Sequence, residues 1–464
     1  MFSRKMARIS QITFCFILLP SSFVWAQDWT QWRGPGRSGV AADFQQPEAW
    51  PDSLRTIWSV EAGSGLSSPL VKDGRIYLLA RVGDDETVSS YDLSTGKRFW
   101  QDKYPAPFIP NSQATSPRFF PQSQGKGPFA TPILHEGFLY TMGIDRVLSC
   151  WEVKTGALKW RRQFQKQEVP ENLVYICQPC GCPDDGKDFD APGACPSCRM
   201  PLGVKGMETT ASQGQGNYYG TAASPVISGS LGVVNVGNLE GGQVIAFDLK
   251  SGKEKWRWQG PPPSSSSPVV ANFQGKDQIV VLTRTNLAGI DARNGEELWT
   301  FAIESNAQIV TPIIFEDTVI FSAYRSPTTA IQISKSGDSW SVEQIWSTND
   351  VTLYTSTPVL VGDKLFGLSY TNRGQYFCLD VRSGERLWAS EGRQAAGAAI
   401  LNLGDAFAAL TDQAKLALFA KDASAFKPIA NYTVADSPTW AHPVFIGKNV
   451  LIKDESKLTL LSFE

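Results

Sequence analysis

Apolar residues along this chain gather in short runs of strand length, each closed by a polar turn. Val244-Ile245-Ala246-Phe247 and Gln375-Tyr376-Phe377-Cys378-Leu379 are representative, rich in the β-branched and aromatic side chains that suit a half-buried pleated surface. Each run leads into one phrase: an aspartate, a short turn ending in Gly, and a Trp four residues on. Copies end at Gly96/Trp100, Gly252/Trp256, Gly295/Trp299 and Gly384/Trp388, headed by Asp92, Asp248, Asp291 and Asp380; Glu152 heads the copy through Gly156 and Trp160. The acidic side chain can accept hydrogen bonds from backbone N–H groups of its turn, and Gly supplies the positive φ that closes it. A second strand carrying the Trp then follows.

About twenty residues before each phrase stands a small residue, then Pro, two apolar residues and another apolar strand. The prolines are Pro69, Pro132, Pro225, Pro268, Pro312, Pro358 and, more weakly, Pro443. Proline suits the first residue of a strand, so it marks where a unit opens. Steps of 43, 44 and 46 residues separate Pro225, Pro268, Pro312 and Pro358, the period of a four-stranded propeller blade. Two periods separate Pro358 from Pro443, which places a degenerate unit near Ala398-Ala399-Ile400-Leu401 with a strand at Lys415–Phe419. The fold class is therefore all-β, an eight-bladed β-propeller with seven blades as the alternative. The last unit, ending at Leu458–Leu461, lacks its Trp-bearing strand. Thr56-Ile57-Trp58-Ser59-Val60 is the candidate to supply it, pairing the two termini and removing an exposed edge. Residues 27–55 form a lead-in, and the propeller spans 56–464.

Two steps are too long. The first excess is the Pro-, Ser- and Gln-rich stretch 104–128, expected as a loop over one face. The second, 171–203, holds five of the eight cysteines: Cys177, Cys180, Cys182, Cys195 and Cys198. Two C-x-x-C elements 14 residues apart are the spacing of a four-cysteine zinc site, with Cys177, Cys180, Cys195 and Cys198 as ligands and Cys182 as an alternative ligand. Four thiolates leave no open position, so the zinc would be structural. Two disulfides and a spare thiol are the competing reading, favoured by an oxidising compartment. Cys150 and Cys378 fall inside strands and are expected in the core.

Residues 1–26 read as a secretory signal: Arg4, Lys5 and Arg8, an apolar run from Ile12 to Leu19, and small residues before a cut after Ala26. No cysteine follows the cut to carry a lipid. Removal of these residues takes the formal charge from −2 to −5, which gives no support for nucleic-acid binding. No other segment is long and apolar enough to span a bilayer. The expected compartment is the periplasm or cell envelope.

The repeated phrase resembles that of the pyrroloquinoline-quinone-type propeller superfamily over essentially the whole mature chain. The lead-in Trp29-Thr30-Gln31-Trp32-Arg33-Gly34-Pro35 is similar to that of its cofactor-free exported members. The superfamily includes quinoprotein alcohol dehydrogenases and the propeller subunit of the outer-membrane β-barrel assembly machinery, a scaffold without cofactor. The dehydrogenase branch implies a disulfide between adjacent cysteines, often a haem-attachment C-x-x-C-H, and a calcium beside a catalytic aspartate. Here no two cysteines are adjacent, Gly181 and Arg199 follow the C-x-x-C elements, and no segment matches the calcium set. Residues 175–202 also resemble the small heavy-metal-binding domain of metal-transport proteins. Cys180 stands where that module has His, and Arg199 where it has Gly; these departures favour a rigid staple over metal delivery.

The only histidines, His135 and His442, are expected to be solvated or packed rather than catalytic. Ser264–Ser267 reads as a linker between blades. Together these features imply a non-catalytic scaffold, without the quinone cofactor, binding envelope proteins or peptides at its rim loops or central funnel. A quinoprotein dehydrogenase with a diverged site is the alternative.

Overall fold

The computed structural model describes residues 28–110, 125–167, 169, 171–177, 179–205, 220–238, 240–303 and 309–464. The signal segment and much of the 104–128 loop lie outside these residues.

Eight four-stranded antiparallel sheets account for nearly all the strands. Numbered by first strand, seven are continuous in sequence: blade 1 (70–105), blade 2 (133–163), blade 3 (226–260), blade 4 (269–302), blade 5 (313–348), blade 6 (359–389) and blade 7 (398–433). Blade 8 combines three strands within 444–462 with the N-terminal strand Arg55–Glu61. That strand runs antiparallel to Lys457–Ser462, with Trp58 opposite Leu460. The expected closure by the two ends is thus the observed one. The degenerate unit is also where its residues predicted, with strands Ala398–Asn402 and Lys415–Ala420 in blade 7.

Burial grades outward along each blade. The second strand of blade 1, Arg75–Val82, is buried over six successive residues, whereas its fourth strand, Arg98–Pro105, is mostly exposed. First strands therefore face the axis and fourth strands the outside.

The repeated phrase turns out to be a clasp between blades. Asp92 Oδ1 accepts the N–H groups of Ser94 (3.1 Å) and Thr95 (2.9 Å), and Asp248, Asp291 and Asp380 cap their own turns likewise. The residue after each capping acid then offers its carbonyl to the Trp of the preceding blade. The Trp160 indole N–H donates to Leu249 O (3.2 Å), Trp100 to Val153 O (3.0 Å), Trp256 to Ala292 O (3.2 Å), and Trp346 to Val381 O (2.7 Å). Trp58 closes the ring by donating to Leu93 O (2.9 Å). The phrase glycine lies under the visiting indole. A Cβ on Gly252 would stand 2.7 Å from Trp160, and its φ of +66° already excludes most side chains.

A second circle runs around the axis, through the small residue before each proline. The N–H of Ser68 donates to Thr131 Oγ1 (3.1 Å), Thr131 to Ser224 Oγ (2.9 Å), and Ser224 to Ser267 Oγ (2.9 Å). Ser267 continues to Thr311 Oγ1 (3.2 Å) and Thr311 to Thr357 Oγ1 (3.3 Å), while His442 N–H donates to Ser68 Oγ (2.8 Å). Each buried backbone donor is satisfied by the next blade's hydroxyl. Ser267, read from sequence as linker, is therefore one link of this circle.

The two long insertions leave the ring over a buried polar network. Glu86, with no exposed surface, accepts the Tyr104 hydroxyl (2.5 Å) and the Ile144 N–H (2.8 Å), and Arg81 Nη1 donates to Ala106 O (3.0 Å). Asp145 accepts the N–H of Gln167 (2.9 Å). Burial raises the Glu86 pKa.

Candidate functional sites and family

The cysteine insertion folds as a unit of its own beside the ring. Tyr175–Ile176 pairs with both Asp188–Phe189 and Gly203–Val204 in a three-stranded sheet. Its small core contains Cys177, Cys195 and Leu202, packed against Tyr175, Phe189, Cys182 and Cys198. So few apolar side chains give little hydrophobic stabilisation, which is the usual circumstance of a domain held by metal or disulfides.

All five sulfurs come together. Cys177 Sγ lies 3.7 Å from Cys180, 3.6 Å from Cys182 and 3.6 Å from Cys198; Cys182 lies 3.8 Å from Cys195. A disulfide needs about 2.05 Å. Four sulfurs at about 2.3 Å from one tetrahedral ion would be separated by about 3.8 Å. The sulfurs of Cys177, Cys182, Cys195 and Cys198 all lie within 4.8 Å of one another, and Cys177, Cys180 and Asp185 make a second such group. Cys180 also stands 3.7 Å from Cys198. Burial pushes the Cys182 thiol up to about 11, whereas Cys180, exposed and bonded by the Cys182 N–H, titrates below its ordinary value. Asp185 holds the first knuckle by accepting the N–H groups of Cys180 (3.2 Å) and Gly181 (2.9 Å). Asp184 reaches across to the second knuckle by accepting the Ser197 hydroxyl (2.6 Å). Sequence spacing found the cysteines but gave no sign of these two braces.

At the ring's axis the lead-in lies across the inner strands. Trp29 and Val71 exchange backbone hydrogen bonds (2.7 and 2.9 Å), and Leu134 N–H donates to Thr30 O (2.8 Å). Ala41 N–H donates to Asn402 O (2.8 Å), and Gln45 N–H to Gly447 O (2.8 Å). Between these anchors two arginines reach blade openings on opposite sides: Arg33 Nη2 donates to Pro358 O (2.6 Å) and Arg37 Nη1 to Pro225 O (2.9 Å). Their guanidinium carbons lie 5.5 and 5.2 Å from the Trp32 ring centre, and the His442 ring meets Trp32 edge-on at 5.4 Å. His442 is packed rather than solvated, and burial beside Arg33 lowers its pKa to about 3. His442 occupies the place before Pro443 where blades 1 to 6 carry Ser or Thr, the one sequence signal that marks it as unusual.

The remaining singled-out residues are structural. Cys150 and Cys378 are buried core residues. His135 is half-buried at the end of its strand, 3.8 Å from the Glu136 carboxylate.

Comparison with known proteins agrees with this architecture. The family profile described as outer membrane protein assembly factor BamB matches residues 25–119 and 208–390. The stretch between the two matched segments contains the whole cysteine cluster. A curated relative, outer membrane protein assembly factor BamB of Burkholderia pseudomallei, is 26% identical over 261 residues, 56% of this chain and 54% of that one. The chain therefore spans about half the length of the curated relative it matches. Among solved structures, BamB from Moraxella catarrhalis superposes with a TM-score of 0.58 at 13% identity, covering 88% of this chain and 99% of that one. Quinohemoprotein alcohol dehydrogenase from Comamonas testosteroni gives 0.58 at 11% identity, covering 94% and 80%. At such identities the superpositions speak for the fold alone. The profile covers more than half of the chain, and the protein belongs to the family of the outer membrane protein assembly factor BamB.

Proposed function

We propose that this protein is an exported, non-catalytic propeller scaffold that binds protein or peptide partners in the cell envelope. The observation that carries the reading is the use made of the repeated residues. Asp92, Asp248, Asp291 and Asp380 each hold a turn that receives the indole of the preceding blade, so each carboxylate is already engaged in capping. Blade ends on a rigid ring are a natural platform for partner segments. Export follows from the residue 1–26 signal, and the family supports an envelope location.

The cysteine insertion is a closed structural centre for zinc or a similar soft metal. Cys177, Cys195 and Cys198 serve in either tetrahedral set, with Cys182 or Cys180 completing the four. Sulfur separations near the tetrahedral edge support this reading. When bound, the ion would contribute folding free energy to a unit that has almost no core.

Crosslinking of the mature protein in intact envelopes, followed by identification of the adducts, tests the scaffold. Recurrent crosslinks to defined envelope proteins are expected. Quinone- and calcium-dependent oxidation of alcohols by the purified chain would overturn it in favour of a dehydrogenase. For the insertion, one zinc per chain is expected, lost in Cys195→Ser together with the insertion's fold. Metal loss with that fold intact would refute the structural role.

A further inference from the structure

Arg33 and Arg37 are a pair of cations that no carboxylate among the described residues balances. Arg33 is 3% exposed. Among the described residues neither arginine takes part in an ion pair, and their hydrogen bonds go to backbone carbonyls, of Pro358 and Ser38 for Arg33 and of Pro225 for Arg37. Arg33 Nε, Arg37 Nε and Nη2, and His442 Nδ1 are shielded from solvent and, among the described residues, have no hydrogen-bond partner. Burial pushes both arginines down to about 9, and for Arg37 the neighbouring charge of Arg33 adds to the effect. Leaving buried donors unpaired costs about 1–3 kcal/mol each, more for charged groups, and two like charges repel strongly where water is excluded. A fold that gathers two guanidinium forks beside one indole has built the donor half of an oxyanion site. The cluster is not sealed, because the Trp32, Arg37 and His442 side chains remain partly exposed.

We propose that Arg33 and Arg37 bind a small dianion at the propeller axis, a dicarboxylate or a phosphate-bearing molecule, held through the guanidinium N–H groups that the backbone carbonyls leave unused. Neutral His442 adds one polar contact, and Trp32 is the apolar wall. The geometry is supplied by the lead-in rather than by the blades, so the site is independent of the scaffold reading and of the cysteine centre.

Isothermal titration of the purified full chain with inorganic phosphate, and separately with succinate at matched ionic strength, tests it. Saturable one-to-one binding of at least one probe is expected. Arg37→Gln should weaken it at least tenfold, and Arg37→Lys by less, since a lysine keeps charge but not the fork. Arg37 gives its hydrogen bond to a single carbonyl, so its variants keep the test open if Arg33→Gln does not fold. Binding of phosphate alone or succinate alone assigns the anion's chemistry. Failure of both probes to bind the unmodified chain, or equal binding by Arg37→Gln and the unmodified chain, would overturn the proposal.

Discussion

The boundary between blades 2 and 3 and the boundary between blades 7 and 8 solve the same problem with different parts. At the first, Trp160 donates to Leu249 O and lies over Gly252, while Thr131 N–H donates to Ser224 Oγ. At the second, neither device exists. Blade 8 takes its fourth strand from Arg55–Glu61, so no turn phrase follows its third strand to receive an indole, and blade 7 carries Ala430 at the outer-strand position where blade 2 carries Trp160. The lead-in fills the gap: Tyr432 donates to Pro51 O (2.8 Å), and Phe44 packs against Trp50 (6.2 Å), Phe445 (5.1 Å) and Phe463 (5.3 Å). A repeat that loses its clasp is thus held by a non-repeating segment threaded across the axis. The boundary between blades 4 and 5 shows the same coupling. Blade 5 has a long hairpin around Gly337 with no capping aspartate, and Trp299 turns inward to donate to Gln278 Oε1 (2.7 Å).

The sharpest way to break this comparison is to delete one side of each boundary. Trp160→Ala removes a clasp, and Phe44→Ala removes its replacement. Each is expected to cost about 3–5 kcal/mol, the range for emptying a large aromatic site, read as a shift in the urea midpoint at unchanged slope. If Phe44→Ala costs less than about 1 kcal/mol, the lead-in is not what secures blades 7 and 8. Next in size is Gly252→Ala, which meets both the positive φ and the Trp160 ring. Gly229→Ala faces the φ cost alone, because nothing lies within 4 Å of its added Cβ. Costs of about 2–3 and about 1 kcal/mol are expected, and their difference isolates the clasp. Thr131→Val should follow at about 1–2 kcal/mol, since it leaves the buried Ser68 N–H without its acceptor.

Much of the ring was legible because its period is enforced by contacts made once per blade. Asp92, Gly96 and Trp100 recur at fixed spacing since the turn, the glycine and the indole each serve a neighbour in the same place. Even the degenerate blade could be located, because two flanking prolines measured the gap. What the sequence concealed was the direction of the contacts. Nothing in Trp160 or Gly252 says that they meet each other across a boundary, 92 positions apart and beyond an insertion. The extra thiol, Cys182, was visible as an alternative ligand, but the spacing does not show that its sulfur lies 3.6 Å from Cys177 and 3.8 Å from Cys195. In the sequence Arg33 and Arg37 are two cations of a polar lead-in, with nothing in their spacing to set them apart. Their significance depends on burial without a counter-charge, and burial is a property of the closed ring.

The smallest effect concerns the one blade opening where a histidine replaces the hydroxyl. His442 has its folded pKa lowered to about 3 by burial and by Arg33, against the ordinary 6.5 of an unfolded chain. The unfolded state therefore binds the proton more readily, and stability present above pH 6.5 must fall as the pH drops towards 3. One unit below 6.5 the loss from this group is at most about 1 kcal/mol, allowing for the partial exposure of the ring. In His442→Gln that share of the slope between pH 7 and 5.5 should vanish, while the backbone N–H continues to donate to Ser68 Oγ. A slope unchanged in the variant would mean that His442 reaches enough water to titrate normally, and that the axis under blade 8 is wetter than the packing of Trp32 and Arg33 implies.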